Sequence, residues 1–126
     1  FGDSVEMADQ LGALVKKGIK AATASLAWIY EHEGSPLPRV GDYSVIKDGA
    51  DAPLCIIQAT EVTVKSFDQV EAAFAYDEGE GDRSLAYWRA AHWRFFTREC
   101  TAVGRTPQED MPIVCERFRV VYGLDA

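Results

Sequence analysis

The chain contains no apolar run near the ~18 residues that a membrane-spanning helix needs, and nothing laid out like a secretory signal. Cysteine is scarce. Cys55, Cys100 and Cys115 are an odd set without C-x-x-C spacing, which rules out a fully paired disulfide framework. They point instead to reduced, mostly buried thiols and a cytoplasmic protein. His32 and His92 stand far apart, which argues against a zinc site built from Cys and His. Positive charge is also short. Thirteen Lys and Arg face twenty Asp and Glu, a net charge of −7 that opposes a strong non-specific grip on nucleic acid. There are no internal repeats and no low-complexity tracts. The first residue is Phe1 rather than Met, so a missing N-terminal segment is expected.

What remains is an ordinary globular composition, 48% apolar and 26% charged over 126 residues. That length suits one domain, residues 1–126, with one core. Asp3 and Glu6 have capping-box spacing before Met7, Leu11, Leu14 and Val15, which share one helical face. Lys16 and Lys17 fall in the last turn and Gly18 stops the helix. From Lys20 to Tyr30 the pattern is mixed. Ala21 to Leu26 suits a strand end or a short helix, and Leu26, Ile29 and Tyr30 favour a helix after it. Glu33 to Pro38 is a loop.

Gly41-Asp42 opens a strand over Tyr43 to Lys47, and Asp48 to Asp51 form a turn. Pro53 to Val64, rich in Ile, Val and Thr, makes one bent strand or two. Ser66 or Asp68 caps a helix through Phe67, Val70, Phe74 and Ala75. An acidic loop with two glycines, Glu78 to Ser84, then leads into a two-faced helix from about Arg83 to Cys100. Leu85, Trp88, His92, Phe95, Phe96 and Glu99 share one side; Arg83, Tyr87, Ala90, Arg94 and Arg98 share the other. Thr106-Pro107-Gln108-Glu109 reads as a single helical turn, and Ile113 to Tyr122 as a half-buried strand. The order predicts a small α+β fold, most simply a short curled sheet or barrel flanked by helices.

Three groups of residues carry possible chemistry. Asp77, Glu78, Glu80 and Asp82 place four acids within six positions. They suit Mg²⁺ in phosphodiester cleavage, or, more plainly, a solvated loop whose last acid caps the next helix. No dedicated metal site is assigned, and Mg²⁺ stays an option. His92 lies among apolar neighbours and fits a packed histidine bonded to Glu99 or a backbone carbonyl; general acid in RNA cleavage is the alternative. Basic and aromatic residues, namely Lys17, Tyr43, Arg83, Tyr87, Arg89 and Arg94, suit phosphate contact and base stacking on a single strand. A plain solvated helix face explains the α-helical members of that set equally well.

Gly18-Ile19-Lys20-Ala21-Ala22-Thr23 matches the G-x-K-x-x-T motif of ASCH domains, and Gly41-Asp42-Tyr43 the strand opening that follows it. Glu78 to Arg89 with His92, and Met111 to Phe118, resemble a bacterial ASCH subfamily in particular. The resemblance covers nearly the whole chain. It implies a PUA-like β-barrel with helices bordering a cleft for RNA. It further implies a hydrolase directed at RNA or a modified nucleoside, by single-stranded RNA cleavage or N4-acetylcytidine deacetylation. The alternatives are a non-catalytic RNA-binding module and a small-ligand sensor. The expected partner is RNA or a nucleoside, and no membrane.

In the deacetylating members the motif lysine and threonine act with a glutamate, and the matching positions here are Lys20, Thr23 and Glu78. Amide hydrolysis needs a nucleophile, a base and donors for the developing oxyanion. Thr23 fits the nucleophile. Lys20 fits the base if burial strips its charge, and Glu78 would orient it, protonate the leaving amine or position water. The plainer readings are a solvated lysine past a helix end and a threonine that serves only a strand. The family motif often continues to an Arg where this chain has Ser25, so a phosphate or carbonyl contact is absent or supplied by Arg83 or Arg89.

Overall fold

The computed structural model describes residues 4–123. Helix α1, Val5–Lys16, is capped by the Ser4 side chain, which accepts from the Met7 N–H at 3.1 Å. Asp3, expected as the cap, lies outside the described residues. Gly18 ends the turn in the left-handed region with φ 78°, as its position past the last periodic residue predicts. Strand β1 is Ala22–Leu26 and helix α2 is Ala27–Glu33, so Ala21 to Leu26 takes the strand alternative and the helix favoured by Ile29 and Tyr30 follows it.

Strand β2, Tyr43–Lys47, coincides with the predicted one. Strand β3, Pro53–Ser66, is a single strand rather than two. Its register shifts near Ile56/Ile57 and Ala59/Glu61 against its partner, and such bulges bend a strand that would otherwise run straight. A 3₁₀ turn, Phe67–Gln69, separates it from helix α3, Ala72–Glu78, where the sequence suggested one helix. Helix α4, Leu85–Ala102, starts at Ser84, whose hydroxyl accepts from the Tyr87 N–H. Strand β4, Pro112–Gly123, closes the order.

The sheet is antiparallel with order β1-β4-β3-β2. Its edges, β1 and β2, do not pair with each other, so the expected barrel is realised as a curled half-barrel. The predicted single helical turn at Thr106 to Glu109 does not form. The carbonyls of Glu109 and Met111 accept from the N–H groups of Asp68 and Phe67, which commits that backbone to the 3₁₀ turn across from it.

Two apolar clusters hold these pieces. The larger gathers Leu26, Phe67, Phe74, Trp88, Phe96 and Ile113 among others, joining α3 and α4 to the first half of β4. Phe67 stacks on Trp88 at 5.5 Å and meets Phe96 edge-on at 6.2 Å. Each such ring, fully buried, stabilises by about 2–3 kcal/mol. The smaller cluster, Val15, Ile46, Cys55, Ile57 and Phe118, seats α1 on the other strands. The three cysteines are free and buried. Burial pushes the Cys115 thiol up to about 11, so it is inert rather than nucleophilic.

Two backbone hydrogen bonds set up everything that follows. The Ala21 N–H donates to the Asp77 carbonyl at 2.7 Å, and the Phe118 N–H donates to the Ala21 carbonyl at 3.0 Å. The stretch between α1 and β1 is thereby tied to the end of α3 on one side and to the central strand on the other.

Candidate functional site

Those ties bring Lys20 beside Glu78, the last residue of α3 rather than part of the loop as the sequence suggested. Gly79 caps α3 with φ 73°, and a Cβ there would stand 2.5 Å from the Ile19 carbonyl oxygen and 3.0 Å from the Lys20 Cα. Only glycine allows the helix end to approach that backbone so closely. Arg83 fastens the arrangement from outside. Its Nε donates to the Tyr76 carbonyl at 2.9 Å, its Nη2 donates to the Ile19 carbonyl at 3.4 Å, and the guanidinium lies 3.6 Å over the Tyr76 ring.

The result is a charged cluster in the interior. Lys20 and Glu78 are 2% and 1% exposed, the two buried charged residues among those described. The Lys20 Nζ donates to the Ala22 carbonyl at 2.8 Å, to Glu80 Oε2 at 2.9 Å and to the Glu78 carbonyl at 3.4 Å. Those three acceptors match the three N–H donors of an ammonium. Glu78 Oε2 lies 3.8 Å from the same nitrogen and 3.0 Å from His92 Nε2. Neither Glu78 carboxylate oxygen meets hydrogen-bond geometry with a donor among the described residues.

The two carboxyl groups are driven apart in acidity. Burial pushes Glu78 up, yet the His92 contact and the Lys20 charge outweigh it and hold the carboxyl below its ordinary range. Glu80, 25% exposed, is pushed above its range by burial and by the neighbouring Glu78 charge, with Lys20 opposing. A buried anion next to a less acidic partner is the pattern by which one site holds a fixed charge and a proton carrier together.

The cluster forms one wall of a cavity of about 300 Å³. Thr23 and Ala24 of β1 line it, with Leu11 from α1 and Tyr87, Arg94 and Phe95 from α4. That volume is at the small end for ligand sites and suits a single base or nucleoside. Of the residues the sequence nominated, Lys20, Thr23, Glu78, Tyr87 and Arg94 therefore meet here. Arg98, from the same helix face, joins them.

Lys17, Tyr43, Arg83 and Arg89 do not line the cavity. Lys17 caps the exposed end of α1, and Tyr43 opens β2, 67% exposed. Arg89 donates to the Asp68 carbonyl at 3.2 Å and holds the 3₁₀ turn. The contact suggested for Arg83 or Arg89 in place of the family arginine is thus not theirs to make, and the cavity's arginines are Arg94 and Arg98. Ser25 itself lies 3.0 Å from the Tyr30 hydroxyl.

Two residues were undervalued by the sequence. His92 does bond a backbone carbonyl, Trp88 O at 2.9 Å, and stacks on the Trp88 ring at 4.3 Å. Its other nitrogen meets Glu78, not Glu99. Glu80 belongs with Glu78 in the cavity, while Asp77 pairs with Arg117 and Asp82 accepts from the Ser84 N–H. Asp82 is therefore not the cap of α4; Ser84 is. Glu78, Glu80 and His92 each offer a donor atom within 4.8 Å of the others, a spacing that would hold a divalent cation.

The family model for the ASCH domain matches residues 1–122. A crystal structure of an ASCH domain from Lactobacillus crispatus JV V101 superposes with TM-score 0.93 at 41% identity, covering 97% of this chain and 77% of that one. A protein from Enterococcus faecalis V583 does so with TM-score 0.91, also at 41% identity, covering 98% of this chain and 74% of the other. No curated protein matches.

Proposed function

The chain belongs to the ASCH domain family, and on that premise we propose that it hydrolyses an amide on a modified nucleoside, with N4-acetylcytidine as the type of substrate. The same proposal assigns it to the bacterial subfamily that the Glu78 to Arg89 stretch and His92 resemble. The observation that carries the reading is the convergence of Lys20, Thr23 and Glu78 on one cavity the size of a nucleoside.

In this reading the Thr23 hydroxyl attacks the acyl carbon and gives its proton to Glu80, whose weakened acidity suits a proton carrier. Lys20 serves as a fixed positive charge, not as the base. The longest of its three donor contacts, to the Glu78 carbonyl, is the one that can turn toward the developing oxyanion. Glu78 pins the ammonium from below. Tyr87 and Phe95 offer faces for the base, and Arg94 and Arg98 offer charge for a sugar-phosphate chain, so a nucleoside within RNA fits as well as a free one. Glu78 and Glu80, two carboxylates beside the Lys20 ammonium, make the reacting end of the cavity a poorer seat for a bare phosphodiester than for a neutral amide.

A second reading has one observation in its favour. The donor spacing of Glu78, Glu80 and His92 fits Mg²⁺, which would reverse that balance and supply the charge neutralisation that single-stranded RNA cleavage requires. Incubation with N4-acetylcytidine and, separately, with labelled single-stranded RNA, each with Mg²⁺ and with EDTA, decides between them. Cytidine formed regardless of EDTA is the expected result. RNA fragments lost with EDTA would replace the amidase by a nuclease, and neither product would leave an RNA-binding module.

A further inference from the structure

The α4 wall of the cavity has two flanks of different charge. At about 100° of rotation per residue, His92 and Arg94 leave the helix about 160° apart, with Ala91 and Phe95 between them. The His92 flank holds Glu78 and Glu80, the acids of the cavity lining, together with the Lys20 ammonium. The Arg94 flank holds none. Arg98 extends it by one turn, and what α1 and β1 add to the lining is uncharged: Met7, Leu11, Thr23 and Ala24.

Arg94 also differs from most arginines of the chain. Arg83, Arg89, Arg105 and Arg117 are held by carbonyl or carboxylate oxygens of the protein. Arg94 makes no hydrogen bond or ion pair among the described residues, although the chain carries twenty acids against thirteen bases. It is exposed, yet it borders a ligand-sized cavity rather than plain surface. An acidic protein that leaves a guanidinium unengaged at such a rim has a seat for an anion brought by the ligand.

We infer that the cavity takes a nucleoside monophosphate, its base toward Lys20 and its terminal ribose phosphate on Arg94. The identity of the base rests on the amidase reading; the phosphate seat does not. A planar guanidinium meets a phosphate with two parallel N–H donors, and Arg98 adds charge to the same flank. The separation of the flanks fixes the orientation, because the phosphate is kept from the two carboxylates while the neutral amide is turned toward them. An internal nucleotide of a strand fits less well. It needs cationic contacts for the phosphates on both sides of its base, and the α1 side of the cavity presents Met7 and Leu11.

Isothermal titration calorimetry with cytidine and with its 5′- and 3′-monophosphates tests the seat without turnover. At least one monophosphate should bind about tenfold more tightly than cytidine, the scale of a charge-assisted hydrogen bond. Whichever does so identifies the ribose position. The advantage should shrink as salt is raised, because the rim is open to water. Arg94→Gln should remove most of it, whereas Lys17→Gln, which deletes a charge outside the cavity, should keep it. Equal affinity for cytidine and both monophosphates, no binding of either monophosphate, or an advantage that survives Arg94→Gln overturns the seat. A trinucleotide with cytidine at its centre that binds more tightly than the monophosphates also overturns it, since a strand then runs through the cavity. Turnover is read separately: kcat/KM on N4-acetylcytidine monophosphate should exceed that on the free nucleoside, and Arg94→Gln should bring the two together. If neither is hydrolysed while the calorimetric preference and its loss in Arg94→Gln hold, the amidase falls and the phosphate seat stands.

Discussion

Four acids lie within six positions of one another, and the fold splits them into two pairs by direction. Glu78 and Glu80 turn inward onto Lys20 and His92; Asp77 and Asp82 turn outward, to Arg117 and to the backbone of Ser84. The pairs alternate because α3 ends between them. Asp77 and Glu78 sit a helical step apart, about 100° of rotation, so neighbours point to different sides. Gly79 then reverses the backbone, and Glu80 lands on the inner side again. Charge type is the same throughout; burial is what separates a site from a surface. An outward acid can lose its partner to water at little cost, whereas an inward one cannot.

The largest effect follows from taking the cation out of the inner pair. Lys20→Ala strands a carboxylate that is 1% exposed, and breaking one side of such a buried pair costs about 3–5 kcal/mol. Urea unfolding should show that loss, and turnover should vanish even at temperatures where the variant is folded. A variant with wild-type stability would mean that the two carboxylates are not held as the distances indicate.

Next comes the hinge between the pairs. Gly79→Ala puts a Cβ 2.5 Å from the Ile19 carbonyl oxygen at φ 73°, where a side chain costs on the order of 1–3 kcal/mol. The strain should be relieved by retracting the α3 end from Lys20, so kcat should fall along with Tm. Gly81→Ala is the control with a different readout. Its Cβ would meet the Tyr87 ring at 2.5 Å, so the cavity mouth shifts and KM should rise more than stability falls.

The inner acids also differ from each other, and pH separates them. Glu78 is held below its ordinary value of 4.5, so its contribution is present above that pH and lost as the pH falls through its folded value. Glu80 is raised above 4.5, so its contribution is present below that pH and lost as the pH rises through its folded value. Urea unfolding between about pH 3 and 8 should therefore give Glu78→Gln a flatter acid limb and Glu80→Gln a flatter neutral limb. Parallel curves for both variants would show that the two carboxyls share one environment.

Much of this was legible in the sequence, and the limit is a physical one. Gly18, Gly41-Asp42 and the alternation of β4 are local signals, and they place α1, β2 and the last strand. Lys20, Thr23 and Glu78 are singled out by resemblance to the ASCH motifs, since the residues alone equally suit a solvated lysine, a strand threonine and a loop acid. His92 was read as packed against a carbonyl, which it is, but its second partner sits fourteen residues away across an aromatic contact. No period in α4 announces that. Thr106 to Glu109 misled for the same reason: the segment carries helix-start residues, but the Glu109 and Met111 carbonyls are bonded across to the 3₁₀ turn at Phe67–Gln69. The basic face of α4 divided too, since Arg83 and Arg89 are bound to backbone oxygens that come from other parts of the fold.

The smallest effect belongs to the outward pair, and its smallness is the point. Asp77 is 39% exposed, and its partner Arg117 keeps Glu61 at 2.6 Å and the Phe74 ring at 5.3 Å when Asp77 is neutralised. Asp77→Asn should then cost under about 1 kcal/mol, within the range of solvent-screened pairs, and leave turnover of N4-acetylcytidine unchanged. What Asp77 gives the site is its backbone carbonyl, the acceptor for the Ala21 N–H at 2.7 Å, and no side-chain substitution removes that. A loss of activity in Asp77→Asn as large as in Glu78→Gln would mean that the outer acid reaches the chemistry through Arg117 and β4, and the division between the two pairs would have to be redrawn around the central strand.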